Sequence, residues 1–511
     1  MDDNEQAAAL AGEVVAGLAE GLAREWETLM TADLGRIEGC LQGVLRVVGG
    51  VLVAGLARRR LAALAGTQAR CPRCGGGVRL VAGARPRALV GLVGEVRLRR
   101  PWYQCIVCRR GYAPLDAAWG LGAGAVTPGL ARVAGRDGLE APFGQGADLL
   151  AENLGVRLAE ETVRRLTEAL GQVVEHDQAD WRHWTLPPGQ VAPPILAVEL
   201  DGVLLHERQR WVETKIGRVA ALGPGLVVDQ ETGEAHLALG SSAYCVAVGS
   251  VETFWPRLAR EVARAGLGRG VRTVVVLADG AEWIWAQARS QFQSPGVEVV
   301  EIVDFYHACE HLGTVAAAVF GPGSLRASDW LDRQCHLLRH QGVAPIQEAL
   351  IALEPRTPEA TDEVRRACGY FATHAARMAY PAFRARLFPI GSGAIESTAK
   401  NLIQQRQTLA GMRWTRDGAQ RLASLRALHR SGRWTAFWHT QPLRRLRLLL
   451  PHPVRTTPPL QRGRAPTTPS TPTIPPPPAP PGRTRIDPTG KVWAKGKDAW
   501  RRAPMCPKRS A

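Results

Sequence analysis

No stretch of this 511-residue chain supplies the ~20 consecutive apolar residues that cross a bilayer. The most apolar run, VVGGVLVAGLA at 47–57, falls far short and is flanked by Arg46 and by Arg58 to Arg60. No charged start, apolar run and small-residue cleavage site opens the chain. A disulfide framework is missing too. Of ten cysteines, Cys71/Cys74 and Cys105/Cys108 form two C-x-x-C pairs, while 40, 245, 309, 335, 368 and 506 are scattered. That usage points to metal binding in a reducing compartment. These absences together predict a soluble, cytoplasmic protein with no membrane partner.

Acidic residues are in short supply: 47 Asp and Glu stand against 64 Lys and Arg, for a formal charge of +17 and a pI near 10.0. Such an excess favours a polyanionic partner such as nucleic acid. Its distribution moderates the point. Residues 451–511 hold twelve Lys and Arg against two Asp, about +10, which leaves about +7 for the first 450 residues. The same segment contains sixteen prolines, including Pro475 to Pro478. It is expected to be extended and disordered, because it cannot bury enough apolar area to fold.

Texture divides the rest of the chain. Residues 1–66 have apolar positions at helical spacing (Leu18, Leu22, Trp26, Leu29) and read as a helical N-terminal segment. Residues 67–120 turn to Gly, Arg and β-branched residues between the two cysteine pairs, a small β-rich module. Residues 126–185 return to helix. Within them 147–172 reads as helix, turn at Leu154 to Val156, and second helix from near Ala159, with Thr162, Arg164 and Arg165 on it. Those residues suit the second helix of a DNA-binding helix-turn-helix, although two packed helices joined by a Gly turn are the commoner meaning. The connector LPPGQVAPP at 186–194 marks a boundary. After it come five predicted strands, ILAVELDGV, WVETKIGRVAAL, SSAYCVAVGS, VRTVVVLAD and VEVVEIVDF, with a helix from about Trp255 to Ala265 before the fourth. Val274 to Leu277 is apolar on both faces, as in a sheet covered on both sides. Residues 306–386 are almost wholly helical in pattern.

Three carboxylates carry the chemistry. Asp201 and Asp279 each precede a glycine where a strand ends, and Glu396 follows Gly391-Ser392-Gly393 at a helix start. Singly, each Asp-Gly is more often a turn, and an acid near a helix start is more often capping, here with Ser392 as N-cap. Glu199 shares a strand face with Asp201 and is its rival. Beyond Glu396, Lys400 and Gln404 follow at i+4 and i+8, with Arg406, Arg413 and Trp414 further on. That strip suits a phosphate backbone.

Together VELDGV, LADGAEWIW, VDFYHACEHL and GSGAIESTAKNLIQQRQTLAGMRWT resemble the DDE transposases of bacterial insertion sequences, the Kra-type group, which is similar to Mutator-like transposases. The resemblance covers about residues 70–430. It implies a multidomain α/β protein: an RNase H-like catalytic domain over 195–305 and 390–430, with an all-α insertion over 306–389, preceded by a zinc ribbon and helical DNA-binding segments. It makes Asp201, Asp279 and Glu396 the ligands of Mg²⁺ or Mn²⁺, and it gives His307 a catalytic role through the Asp304-Phe305-Tyr306-His307 motif. Two such ions ~4 Å apart activate a water or a DNA 3′-hydroxyl and stabilise the leaving oxygen. The implied partners are double-stranded DNA, at element ends and target, and further copies of the chain assembled on that DNA at the bacterial nucleoid. A nuclease without strand transfer and a non-catalytic DNA-binding derivative remain as alternatives.

Cys71, Cys74, Cys105 and Cys108 have the count and spacing of a structural Cys₄ zinc site, with a gap long enough for a β-hairpin. Arg97, Arg99, Arg100 and Trp102 beside it are candidate DNA contacts. Cys309 and His311 share a short helix with His307 and lack a partner pair, so core or surface roles are expected for them, as for Cys335 and His336.

Overall fold

A computed structural model describes residues 3–64, 70–122, 124–179, 191–228, 235–391 and 393–440, together with 442 and 445. Most of the proline-rich connector, Ser392 and the whole basic segment 451–511 with Cys506 lie outside the described residues.

The chain begins with two long helices, α1 (Asp3–Thr31) and α2 (Leu34–Leu64), that pack as a hairpin. Glycines set the spacing. A Cβ on Gly21 would come within 2.6 Å of Val44, and one on Gly55 within 2.3 Å of Leu10. The apolar run at 47–57 sits inside α2, which contains an 18-residue window of mean hydropathy 1.8. By length and composition α2 is therefore long enough to cross a membrane, which the eleven-residue run alone did not show; 22% of that window is buried inside the protein.

Next come β1 (Val78–Gly91) and β2 (Gly94–Cys105), an antiparallel hairpin with Val78 opposite Cys105, extended by the two-residue β3 (Gly111–Tyr112). The expected β-rich module is present. Val96 and Leu98 point into a small core with Leu89, Ala57 and Leu115, the last from the short α3 (Pro114–Ala118). Arg97 and Arg99 face outward. Arg100 does not, contrary to its candidacy as a DNA contact: it is 5% exposed and forks onto Asp116, with Nε–Oδ1 2.7 Å and Nη2–Oδ2 3.0 Å. A buried carboxylate next to an inward strand position makes it a structural arginine.

Three helices come next: α4 (Pro128–Glu140), α5 (Phe143–Leu154) and α6 (Glu160–Ala179). The expected helix, turn and helix are found at 143–179, with Gly155 at φ 58° ending α5 in the left-handed conformation that glycine tolerates. These helices do not stand apart as a separate domain core. Leu130, Leu150, Val163 and Leu170 belong to the cluster that covers one face of the central sheet.

That sheet is built from β4 (Ile195–His206), β5 (Trp211–Val228) and β6 (Ala235–Val248), then α7 (Val251–Arg264), β7 (Thr273–Ala278), the short α8 (Glu282–Trp285) and α9 (Ala288–Phe292), and β8 (Glu298–Val303). All five predicted strands are there, in the order β6-β5-β4-β7-β8. The first three form an antiparallel meander, while β7 runs parallel to β4 and β8 parallel to β7. Parallel central strands must be buried on both faces, and β7 is: TVVVLA is buried at every position.

The helical stretch then resolves into α10 (Phe305–Phe320), α11 (Leu325–Gln341), α12 (Ala344–Ile351), α13 (Pro358–Thr373), a 3₁₀ turn and α14 (Tyr380–Ala385). Their apolar sides and α7 bury one face of β4 to β6 and both faces of β7, through a cluster holding Leu196, Val198, Val274, Val275, Val276, Leu277, Phe305 and Phe371. The other face receives α4 to α6 together with α15 (Gly393–Ala399), α16 (Gln405–Gln407) and α17 (Arg416–Arg430), through Val203, Leu205, Ile216, Ile395, Leu402 and Leu422. The result is a three-layer α/β/α arrangement.

Candidate active site and metal centre

Strand register brings two of the three acids together. Leu200 of β4 pairs with Ala278 of β7, and Ala278 pairs with Val303 of β8. Asp201, Asp279 and Asp304 are each the next residue, so three acids stand at one level across three neighbouring strands spaced ~5 Å apart. Asp279 follows the end of β7, but β4 runs on to His206 still paired with β5, so Asp201 lies within its strand and not at the expected strand end. It stands where the parallel pairing of β4 with β7 stops, the kind of place where such sheets hold their sites. Asp201 Oδ1 accepts the Gly202 N–H at 2.7 Å, and Asp279 Oδ1 accepts the Ala281 N–H at 3.0 Å. Both carboxylates are half-buried and held locally.

The third acid lies on α15, whose lead-in is tied to α10 through the backbone. Phe305 N donates to Ile390 O at 2.9 Å, pinning the segment before α15 to the start of α10. Glycine makes room there, since a Cβ on Gly391 would lie 2.5 Å from the Tyr306 ring. Glu396 stands half-buried in the first turn of α15, which packs against β4 through Ile395. The three carboxylates have the hard oxygen chemistry that suits Mg²⁺ or Mn²⁺. They do not all lie within 4.8 Å of one another; among the described residues only the four cysteines meet that spacing as a group of three or more.

Glu199, the rival of Asp201, lies deeper in the sheet. It is 1% exposed and ion-paired to Arg218 at 2.9 Å, directly across β5. Burial raises its pKa against the pull of Arg218. It supports the floor of the site rather than its opening.

Asp304 is the N-cap of α10, accepting from Tyr306 N at 2.6 Å and His307 N at 3.2 Å. That cap fixes His307 near the acids. Burial lowers the His307 pKa, but Glu310, at 3.4 Å, with Asp279 and Asp304 outweighs it, and the net shift is upward. Around Asp279 the tertiary structure also gathers His311, Tyr370 and His374, whose titration each feels its charge. His311 stacks on Tyr370 with ring centroids 3.9 Å apart, and burial pulls its pKa down to about 4. Tyr370 comes so close that a Cβ on Gly280 would lie 2.5 Å from its ring. Only His311 had a sequence signal, one helical turn from His307. Tyr370 and His374 come from the end of α13 and had none.

The strip beyond Glu396 is split. Lys400, Gln404 and Arg413 are exposed. Arg406, expected to contact DNA, is 0% exposed and cannot. Its Nε and Nη2 donate to Gly138 O at 3.2 and 3.1 Å, and its guanidinium lies 4.5 Å from the Phe143 ring and 5.5 Å from the Trp414 ring. Burial, then repulsion from Arg426, lowers its pKa to about 10. The reason is local. Residues Lys400–Gln404 form a π-turn, whose extra residue rotates the side chains after it by about 100°. Arg406 therefore faces the carbonyl end of α4, where it caps an otherwise unpaired group. Arg164 and Arg165 stay half-exposed, but Glu161 and Glu168 engage them: Arg164 to Glu161 and to Glu168 at 2.7 Å each, Arg165 to Glu161 at 2.6 Å. The Arg164 hydrogen bond leads in lowering the Glu161 pKa to about 2. Any DNA phosphate would have to displace those carboxylates.

The cysteine site is fully assembled. Cys71 and Cys108 sulfurs are 3.6 Å apart, Cys74 and Cys105 3.5 Å, and all four lie within 4.8 Å. Four sulfurs ~2.3 Å from one tetrahedral Zn²⁺ would be separated by ~3.8 Å. A disulfide needs ~2 Å, so these are thiols or thiolates around a zinc-sized centre. Cys108 N–H points at Cys105 Sγ at 3.4 Å and leads in pulling that thiol's pKa down to about 6. A lowered thiol pKa favours the thiolate that binds metal; its partner Cys74 goes the other way, up to about 11, although the Gly76 backbone hydrogen bond pulls it down, because Cys105 and burial push it up. These four residues could hold zinc as a structural ion. Compared with known protein families and with curated proteins, the chain matches none.

Proposed function

We propose that this chain is a DDE-type DNA recombinase, an insertion-sequence transposase that cuts element ends and joins them to target DNA. The observation that carries this reading is the strand register, which aligns Asp201 with Asp279 on adjacent parallel strands; that Glu396, on a helix packed against β4, completes the set is part of the proposal. The reading goes with an RNase H-like catalytic domain, which the five-stranded mixed sheet and its helical α10–α14 insertion support.

Asp201, Asp279 and Glu396 would hold Mg²⁺ or Mn²⁺, which when bound supplies Lewis-acid polarisation of the scissile phosphate. The chain's own groups prepare the place. Gly202 and Ala281 N–H groups orient the two aspartates. His307, kept cationic over more of the neutral range, offers positive charge to a phosphate oxygen. Exposed Lys400, Gln404 and Arg413 extend the phosphate path away from the acids.

The test is cleavage and joining of the DNA that flanks the gene, with Mg²⁺ present. Glu396→Gln and Asp201→Ala are expected to abolish strand cleavage while melting temperature and DNA affinity hold. Cleavage by Asp201→Ala at the wild-type rate refutes the assignment. Cleaved ends that are never joined to a target select the nuclease alternative.

A further inference from the structure

The N-terminal hairpin is short of buried side chains. Across residues 3–64 the buried apolar side chains are Leu10, Val44 and Ala57. Helices in proteins owe most of their stability to packing of an apolar face, and α2 has a second such face left over. Leu34, Leu41, Leu45, Leu52 and Leu56 are exposed by 70, 38, 62, 38 and 46%. Their spacing is 7, 4, 7 and 4, an 11-residue repeat read from the sequence. At ~100° per residue the five fall within an arc of about 60°, and at ~1.5 Å per residue the stripe is about 33 Å long. An 11-residue repeat keeps such a stripe on one side of a nearly straight helix. Its narrowness is that of a helix-pairing seam.

Other positions of α2 are committed. Val44 and Gly55 meet α1, Gly50 lies against the backbone of Glu95, and Ala57 enters the core with Leu89. Lipid cannot surround α2 without dismantling these contacts.

We propose that the leucine stripe is a homodimerisation seam, on which the N-terminal hairpin of a second copy docks to complete a four-helix bundle. Charge selects that occupant and its orientation. Helix α1 carries Asp3, Glu5, Glu13, Glu20, Glu25 and Glu27 against Arg24, net 1 − 6 = −5. Helix α2 carries Arg36, Arg46, Arg58, Arg59 and Arg60 against Glu38, net 5 − 1 = +4; Arg58 pairs with Glu13 and Arg59 binds Gln6 O within one copy, which leaves Arg36, Arg46 and Arg60 for a neighbour. A two-fold that lays α1 of each copy along α2 of the other pairs opposite charges and keeps the two acidic helices apart. Helix α1 is rich in Ala and Gly, so it offers holes that leucine knobs enter. A face of two such helices supplies the roughly 20–30 residues a side of a specific interface. The seam uses none of the site carboxylates, so it stands or falls separately from the proposed chemistry.

Light scattering coupled to size exclusion on the full chain without DNA tests it. At micromolar concentration the wild type is expected at twice the chain mass, and Leu45→Glu/Leu52→Glu at the chain mass, with circular dichroism and zinc content unchanged. Should those glutamates unfold the hairpin, Leu45→Ser/Leu52→Ser is expected to raise the dimer dissociation constant at least tenfold. A monomeric wild type, or a dimer indifferent to both pairs of substitutions, overturns the proposal. So does a monomer that floats with anionic phospholipid vesicles through the same leucines, which would make a bilayer the occupant.

Discussion

Replacing Arg406 separates a DNA contact from a structural arginine. With the side chain buried, Arg406→Ala removes two charge-assisted hydrogen bonds to Gly138 O and two ring contacts, with Phe143 and Trp414. Hydrogen bonds to a charged group are worth ~1.5–3 kcal/mol, desolvated cation–π contacts up to ~2 kcal/mol each, and the cavity adds to both. Against this stands relief of the buried charge's desolvation, evident in the pKa pulled down to about 10. The net expectation is a loss of roughly 3–5 kcal/mol. Arg406→Lys, which keeps charge but loses the fork and the planar stacking, should cost about half of that. Urea unfolding followed by tryptophan fluorescence reads the loss as a midpoint shift of about 1 M or more, at a slope near 3 kcal/mol/M. DNA affinity of the still-folded variant at low urea should keep its dependence on salt. An unchanged midpoint, with weaker DNA binding and a salt slope reduced by about 1, would refute the structural role.

Gly280→Ala should reduce cleavage more than stability, costing roughly 1–3 kcal/mol of folding, because the new methyl displaces Tyr370 beside Asp279; equal activity in both proteins counts against the placement of that ring. Zinc released by a thiol-specific reagent should amount to one ion per chain, and Cys105→Ser should lower both zinc content and melting temperature; metal analysis of protein purified without chelator decides this. Burial first, aided by neighbouring positive groups, lowers the pKa of both His311 and His429 to about 4. Between that value and the ordinary ~6.5 the unfolded chain binds more protons than the folded one, so stability should fall as pH drops through that window. The effect is on the order of 1 kcal/mol for each half-exposed ring; His311→Gln should flatten the melting-temperature profile there, and an unchanged slope refutes it.

Local chemistry made much of the fold legible. The apolar run Val274 to Leu277 announced a strand covered on both faces, Gly155 announced the break between α5 and α6, and two C-x-x-C pairs announced their own convergence, because a fixed spacing between cysteines is already most of a tetrahedral site. Patterns of this kind are settled by neighbours along the chain. Arg406 and Arg100 defeat that logic, because an arginine looks alike in sequence whether it meets solvent or a buried acceptor.

Which distant groups share a place was left to the assembled fold. Register sets Asp201 beside Asp279 and Asp304, and α13 brings Tyr370 and His374 to the same acid. A π-turn after α15 turns Arg406 from the phosphate strip into the core. Residue order alone was enough for most of the elements and for the convergence of the four cysteines. Burial then separated Glu199, enclosed on Arg218, from half-buried Asp201, because solvation of a carboxylate depends on its position in the assembled layers.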